Sequence, residues 1–143
     1  MPASQAKAAY GTKLKMGDGA SPETFTEIPE VGDIKGPMIS VKTIDVTTHS
    51  SAASGANEEI IPSTINAGTV TFPLNYVESD PMHQALIAVS QARTKRNFQK
   101  VNPEATKTIS FAGYVTEISF SDPVSDKRGA DVTITVSGGL TFS

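Results

Sequence analysis

The sequence predicts a mainly β protein: a β-sandwich or partly closed barrel, flanked by one α-helix and carrying a long inter-strand loop. Ser and Thr fill 31 of 143 positions, Gly and Pro fill 20 more, and aromatics are only 6%, a balance that favours short strands and turns over a helical bundle. Apolar residues alternate with polar ones in several separate runs, the longest from Val132 to Phe142, whereas helical spacing occurs once, near residues 80–93. A chain of 143 residues and 15.0 kDa hides about 70% of its unfolded surface, enough for one self-supporting domain over residues 1–143.

Met1 to Ala8 is small and polar with a single Lys7, and suits a mobile arm. Tyr10, Thr12, Leu14 and Met16 alternate against Gly11, Lys13 and Lys15, predicting a first strand that stops at Gly17-Asp18-Gly19. Thr24 to Ile28 supplies a hairpin partner, and Pro29 to Pro37 reads as an irregular connection. The apolar pairs Ile39/Val41 and Ile44/Val46 differ in parity, so a bulge or bend is expected between Val41 and Ile44. His49 to Asn57 holds no large apolar residue and predicts a long exposed loop. With Glu58, Glu59, Ile60, Ile61 and Pro62 after it, something must cover the two isoleucines. Strand character resumes at Thr69 with Val70, Phe72, Leu74 and Tyr76, and Pro73 argues for an edge or a bulge.

Asp80 as N-cap and Pro81 at the first helical position open a helix whose Met82, Leu86, Val89 and Arg93 share a face, with Ala85, Ala88 and Ala92 permitting close packing on a sheet. A strand through Phe98 ends near Asn102-Pro103. Ile109, Phe111, Gly113 and Val115 share one parity and Ile118 and Phe120 the other, predicting a strand that bends near Gly113 to Glu117 and serves two sheets. After the turn Ser121 to Gly129, the alternating run to the last residue should anchor the C-terminus in a sheet.

Several function classes fall away. With 12 basic and 15 acidic residues the net charge is -3 and the pI about 5.3, leaving no overall positive field to hold nucleic acid. Without cysteine there is no disulfide or thiolate zinc site, and two histidines cannot build a multi-histidine cage, so no cofactor or metal is expected. The longest apolar run is Ala85 to Val89, and no signal-peptide stretch opens the chain, which predicts a soluble protein made in the cytoplasm and not inserted in a membrane. His83 beside Asp80, Ser79 and Glu78 imitates a hydrolytic cluster, but a helix N-terminus explains the same letters. Ser4 and Lys7 have the Ser-x-x-Lys spacing but sit in the arm, and Gly17-Asp18-Gly19 lacks the remainder of any phosphate or calcium loop. No enzyme is read here.

Arg93, Lys95, Arg96 and Lys100 form the basic cluster, and Asp18, Glu23, Glu27, Glu30 and Asp33 an acidic stretch without Lys or Arg between residues 17 and 34. A solvated face accounts for each; opposite-sign patches on one chain can also meet head to tail on neighbouring copies. Nucleic-acid capture ranks third, because no aromatic run accompanies the cluster.

The segments Phe111-Ala-Gly-Tyr-Val-Thr-Glu-Ile-Ser-Phe120 and Ala130-Asp-Val-Thr-Ile-Thr-Val-Ser-Gly-Gly-Leu-Thr-Phe142 resemble the major tail tube proteins of long, non-contractile-tailed bacteriophages. The resemblance spans Tyr10 to Phe142 and includes the order of parts: an arm, a long small-residue loop, one mid-chain helix and a terminal β-hairpin. It implies a structural virion protein whose six-membered rings stack into a hollow tube for the phage genome. Its partners would be other copies of itself, a tail-tip initiator, a tape-measure protein and a tail terminator, with DNA only as transiting cargo. The implied location is the virion tail, after a cytoplasmic stage in the host. The implied inter-subunit elements are the arm, Pro2 to Ala9, and the loop 49–61, with His49, Ser50, Ser51, Ser54, Gly55, Asn57, Glu58, Glu59, Ile60 and Ile61 as contact residues. Larger family members carry an added C-terminal immunoglobulin-like domain, and this chain is expected to lack it. Because DNA must slide without sticking, an acidic or neutral wall is expected, with Arg93, Lys95 and Arg96 at subunit or ring contacts. A β-sandwich adhesion or carbohydrate-binding module would show similar strands but more exposed aromatics than a chain with no Trp and three Tyr.

Overall fold

In the computed structural model, which describes residues 3–49, 55 and 57–143, the longest strand is β7 (Thr108–Ser121). Among the described residues the other strands are β1 (Lys13–Gly17), β2 (Phe25–Glu27), β3 (Ser40–Asp45), β4 (Ile60–Asn66), β5 (Thr69–Asn75), β6 (Arg96–Val101), β8 (Gly129–Val136) and β9 (Thr141–Phe142), with helix α1 (Pro81–Ala92) after β5. The first half of β7 pairs antiparallel with β6 and the second half with β8, giving the order β2-β1-β6-β7-β8-β5. The register shifts between Val115 and Glu117, where the change of apolar parity predicts a bend. One extra residue kinks a strand and increases its twist. The two wings of the sheet thereby fold over one core, in which Leu14, Met16 and Phe98 from one wing join Val70, Phe72, Val132 and Ile134 from the other.

The sandwich is thus one bent, open sheet. The expectation that β7 serves two sheets is corrected to two wings of a single hydrogen-bonded sheet, because Gly113 pairs with Arg96 of β6 and Val136 of β8 at once. That position needs glycine, since a Cβ there would run into the Thr135 carbonyl. The only other sheet among the described residues is the β3–β4 hairpin. Pro73 lies on β5 at the sheet's edge, as its missing N–H requires.

Helix α1 starts as its sequence dictates: the Asp80 carboxylate accepts from the N–H groups of Met82 (2.8 Å) and His83 (3.3 Å), with Pro81 beside it. Leu86 and Val89 enter the core. Two details differ from the sequence reading. Arg93 is no part of the buried face but a left-handed cap (φ 56°), and Ala88 and Ala92 point to solvent, leaving Ala85 alone to pack half-buried.

The first strand begins at Lys13, three residues later than the alternation suggests, because Gly11 (φ 96°) turns the chain and leaves Tyr10 96% exposed. The terminal run is also interrupted. β8 stops at Val136, Ser137 to Leu140 forms an irregular link around Gly138 (φ 95°) with Leu140 packed against the core, and β9 returns to β7 opposite Ile109 and Ser110. The anchoring of the last residues holds: Ser143 and Thr108 exchange backbone hydrogen bonds of 2.9 and 2.8 Å.

Truncating Phe98, fully buried and stacked on Phe111 at 5.6 Å, should cost about 3–5 kcal/mol of unfolding free energy. Ile65→Ala on the exposed hairpin should stay within about 0.5 kcal/mol of the parent chain. Denaturant titration of the free subunit checks both.

Candidate assembly surface

Among the described residues, eight of the fourteen exposed large apolar side chains fall between Met38 and Val46 or between Ile60 and Ile65, on a ribbon that leaves the edge of the sheet. Isolated bridges join Val31 to Leu74 and Lys35 to Thr71, Met38 N–H donates to the Ala67 carbonyl (3.0 Å), and the ladder then passes into β3 and β4. Val46 N–H to the Glu59 carbonyl (2.9 Å) prolongs it. The half nearer β5 is held by the sheet; the β3–β4 half stands clear, about 20 Å long at a strand's rise per residue.

Its register shifts between Val41 and Thr43, where a bulge is expected, but the additional residue is on β4, so it does not bring the two apolar pairs of β3 to one face. Because β3 itself gains no residue, Val41 and Ile44 point to opposite faces. Val41 with Ile65, and Ile60 beyond them, occupies one face; Ile44 with Ile61, followed by Val46, occupies the other. These six residues are 38–64% exposed. A two-stranded hairpin with apolar residues on both faces and no core of its own is marginal in water and marks an interaction surface.

The contact residues expected from the sequence fall here in part. His49, Gly55, Asn57 and Glu58 are exposed near the ribbon's tip, and Glu59 is half-buried, its N–H donating to the Thr47 hydroxyl (2.8 Å). Ile60 and Ile61, grouped with the loop in the sequence, are the first residues of β4, so the loop is shorter than 49–61. Ser50, Ser51 and Ser54 lie outside the described residues. The apolar residues Val41, Ile44 and Ile65 were not among the expected contacts. The parity change, which puts apolar residues on both sides of one strand, is the signal that could have found them.

The basic cluster divides. Arg96 lies over the β1–β2 turn, its guanidinium where a Gly19 side chain would stand, while Asn97 donates to the Glu23 carboxylate (2.8 Å). Lys100 Nζ donates to the Gly36 carbonyl (3.1 Å). The acidic stretch therefore meets Arg96 of its own chain. Arg93 and Lys95 remain exposed, with no side-chain hydrogen bond or ion pair among the described residues. In the same turn, the N–H groups of Ala20 first and Thr24 next hold the Asp18 carboxyl below its ordinary value of 3.8, and Arg96 adds to the effect.

Nothing in this arrangement carries bond-making chemistry. His83 is 2% exposed; its Nδ1 accepts from Val77 N–H (3.1 Å), so its Nε2 donates to the Pro29 carbonyl (2.9 Å). Both ring nitrogens are spent tying α1 to the segments that follow β5 and β2. The described residues hold no group of three His, Asp or Glu able to bind a metal ion, and no helix among them is long and apolar enough to cross a membrane.

The tail of an empty gene transfer agent particle, refined with C6 symmetry, shares the fold at 16% identity (96% of this chain, 99% of that one, TM-score 0.79). The SPP1 tail tube shares it at 14% identity (92% and 76%, TM-score 0.69), and so does a chain of the sheath/tube terminator of the extracellular contractile injection system PVC (14%, 99% and 99%, TM-score 0.70). The fold is therefore common to contractile and other tubes. No curated protein sequence matches the chain. Residues 9–143 match the model of the lambda phage tail tube protein, TTP, and the chain belongs to that family. It is a structural component of a phage-type tail tube, not an enzyme.

Two outcomes follow from the local geometry. Replacing His83 by Phe leaves the Pro29 carbonyl and Val77 N–H unpaired in a buried place and should cost at least about 1–3 kcal/mol in thermal or denaturant unfolding. Because Asp18 has a lowered folded-state pKa, its contribution is present above the ordinary carboxylate value and is lost as pH falls through the folded value. Asp18→Asn should therefore flatten the acid limb of stability below about pH 4, read by melting the two proteins across pH.

Proposed function

We propose that this chain is the repeating subunit of the tube of a long, non-contractile phage tail, in which six copies close a ring and rings stack around a channel for the genome. The observation that carries this reading is the ribbon with apolar residues on both faces. One uncovered face would be satisfied by a single partner; two require neighbours on both sides, as repeated copies in a stacked assembly supply. The C6 symmetry of the gene transfer agent tail supports six as the ring number. On this reading residues 1–143 act as one tail-tube domain. The arm before Ala9 and the residues from His49 to Ile61 reach neighbouring copies, and Arg93, Lys95 and Arg96 lie at subunit or ring contacts. A tail-tip initiator, a tape-measure protein and a tail terminator complete the tail, assembled from subunits made in the host cytoplasm.

The test is assembly. Purified subunit, concentrated or supplied with a tail-tip initiator, should form rings or tubes in electron microscopy. Ile61→Ser combined with Ile65→Ser should abolish them while leaving the free subunit's unfolding within about 1 kcal/mol of the parent, since both residues are exposed in it. Arg93→Glu with Lys95→Glu should weaken assembly and reduce its dependence on salt. Tubes that form normally from the double isoleucine variant would refute the ribbon's role.

A further inference from the structure

The opposite-sign segments read from the sequence are only partly neutralised within the chain. Of the acidic stretch, Asp18, Glu23 and Glu27 face Arg96, Asn97 and Lys13. Glu30 and Asp33 instead line a cleft of about 610 Å³ between the segment after β2 and the β7–β8 turn, with Asp126 and Asp131 on the side of the turn. All four carboxylates are exposed, and among the described residues none of them forms an ion pair. Lys127 is the cation of the lining, and Lys35 borders the adjoining hollow that Asp33 and Asp131 share. The turn's Arg128 is already committed to Glu78 and Asp122. The floor of the cleft is apolar, formed by Val31, Leu74 and Ala130.

Resting on the tube reading, we infer that this cleft receives the corner of a second copy formed by Arg93, Thr94 and Lys95, a contact that joins subunits head to tail. The three residues are exposed where α1 turns through Arg93 (φ 56°) toward β6, and neither cation has a side-chain partner among the described residues. The corner cannot fill the cleft of its own chain. Arg128 and Glu78 tie the β7–β8 turn to the start of α1, whereas the corner lies at its end, so the 12 residues of the helix, about 18 Å, separate the two. A surface and its complement set apart on one chain are satisfied by another copy, and the contact then repeats from copy to copy. A metal ion is the poorer occupant, since the described residues hold no group of three carboxylates able to bind one. Carboxylates spread along two walls suit a planar guanidinium and an ammonium two residues apart. Pairs at a wetted rim govern encounter and register more than strength. On this reading the ribbon holds copies together, and the corner sets which way they face.

Two charge-reversed chains test this. Arg93→Glu with Lys95→Glu makes the corner acidic, and Asp126→Lys with Asp131→Lys makes the cleft basic. All four positions are exposed, so each free subunit should keep the parent's denaturation midpoint. Alone, each chain should need roughly tenfold more protein to form tubes, because like charges then meet at every contact. Mixed in equal amounts, the two should assemble near the parent's concentration, since each corner then finds a cleft of opposite sign on the other chain. Should a reversed chain misfold, neutral changes take its place. Asp126→Asn with Asp131→Asn should reduce the salt dependence of assembly as much as Arg93→Gln with Lys95→Gln, and all four together should reduce it no further. A cleft-reversed chain that assembles like the parent, a mixture no better than its components, or neutral changes whose effects add would each overturn the assignment. Failure of the unsubstituted chain to form tubes would count instead against the tube reading itself.

Discussion

The bend in β7 is the constraint on which the rest of the molecule depends. A flat six-strand sheet would have two faces to cover and one helix to cover them. By inserting Thr116 and crossing both wings at Gly113, the chain makes the sheet its own cover, so that Phe98 and Phe111 meet Phe72 and Ile134 across one interior. Helix α1 then has only the remaining opening to close, which Leu86, Val89 and the doubly bonded His83 do. The outward faces of the two wings are released from packing duties, and their composition is free to answer to something other than stability.

The same economy leaves the ribbon without an interior. Residues of β5 have the core beneath them; those of β3 and β4, on the same ladder a few residues farther along, have water on both sides. The subunit is therefore divided energetically as well as spatially. Burial of the inner face of the wings supplies the free energy that folds the chain, while the six apolar residues of the ribbon contribute theirs only when another surface arrives. Substitutions in the two regions act on different equilibria.

This division also explains what the sequence revealed. Where one face is buried and the other wet, alternation is sharp, and Val70 to Leu74, Val132 to Val136 and Ile109 to Val115 are legible for that reason. The start of α1 is legible because Asp80 and Pro81 satisfy local backbone geometry whatever lies around them. Ile60 to Asn66 is a strand without that contrast: Ile60 and Ile61 are adjacent, Pro62 follows, and no core selects a side, so the residues resemble the end of a loop. Tyr10 misleads in the opposite way, keeping the period of β1 past a turn at Gly11 that only the backbone discloses. Of the assembly surface, the need to cover Ile60 and Ile61 could be read directly. The participation of Val41 and Ile44 was signalled only by the change of parity between them, and that of Ile65 depends on a register that pairs residues some twenty positions apart.

The ribbon's attachment has a mechanical side. It is clamped along β5 at one end, interrupted at Gly68 (φ 70°) beside the buried Ala67, and unsupported beyond. That is a cantilever. A small rotation at the clamped end is multiplied by the length of the arm into a displacement at the tip, and a force applied at the tip returns to the root as torque on β5, the edge strand of its wing. Load and geometry are thus transmitted between the far end of the arm and the face of the sheet through the backbone itself.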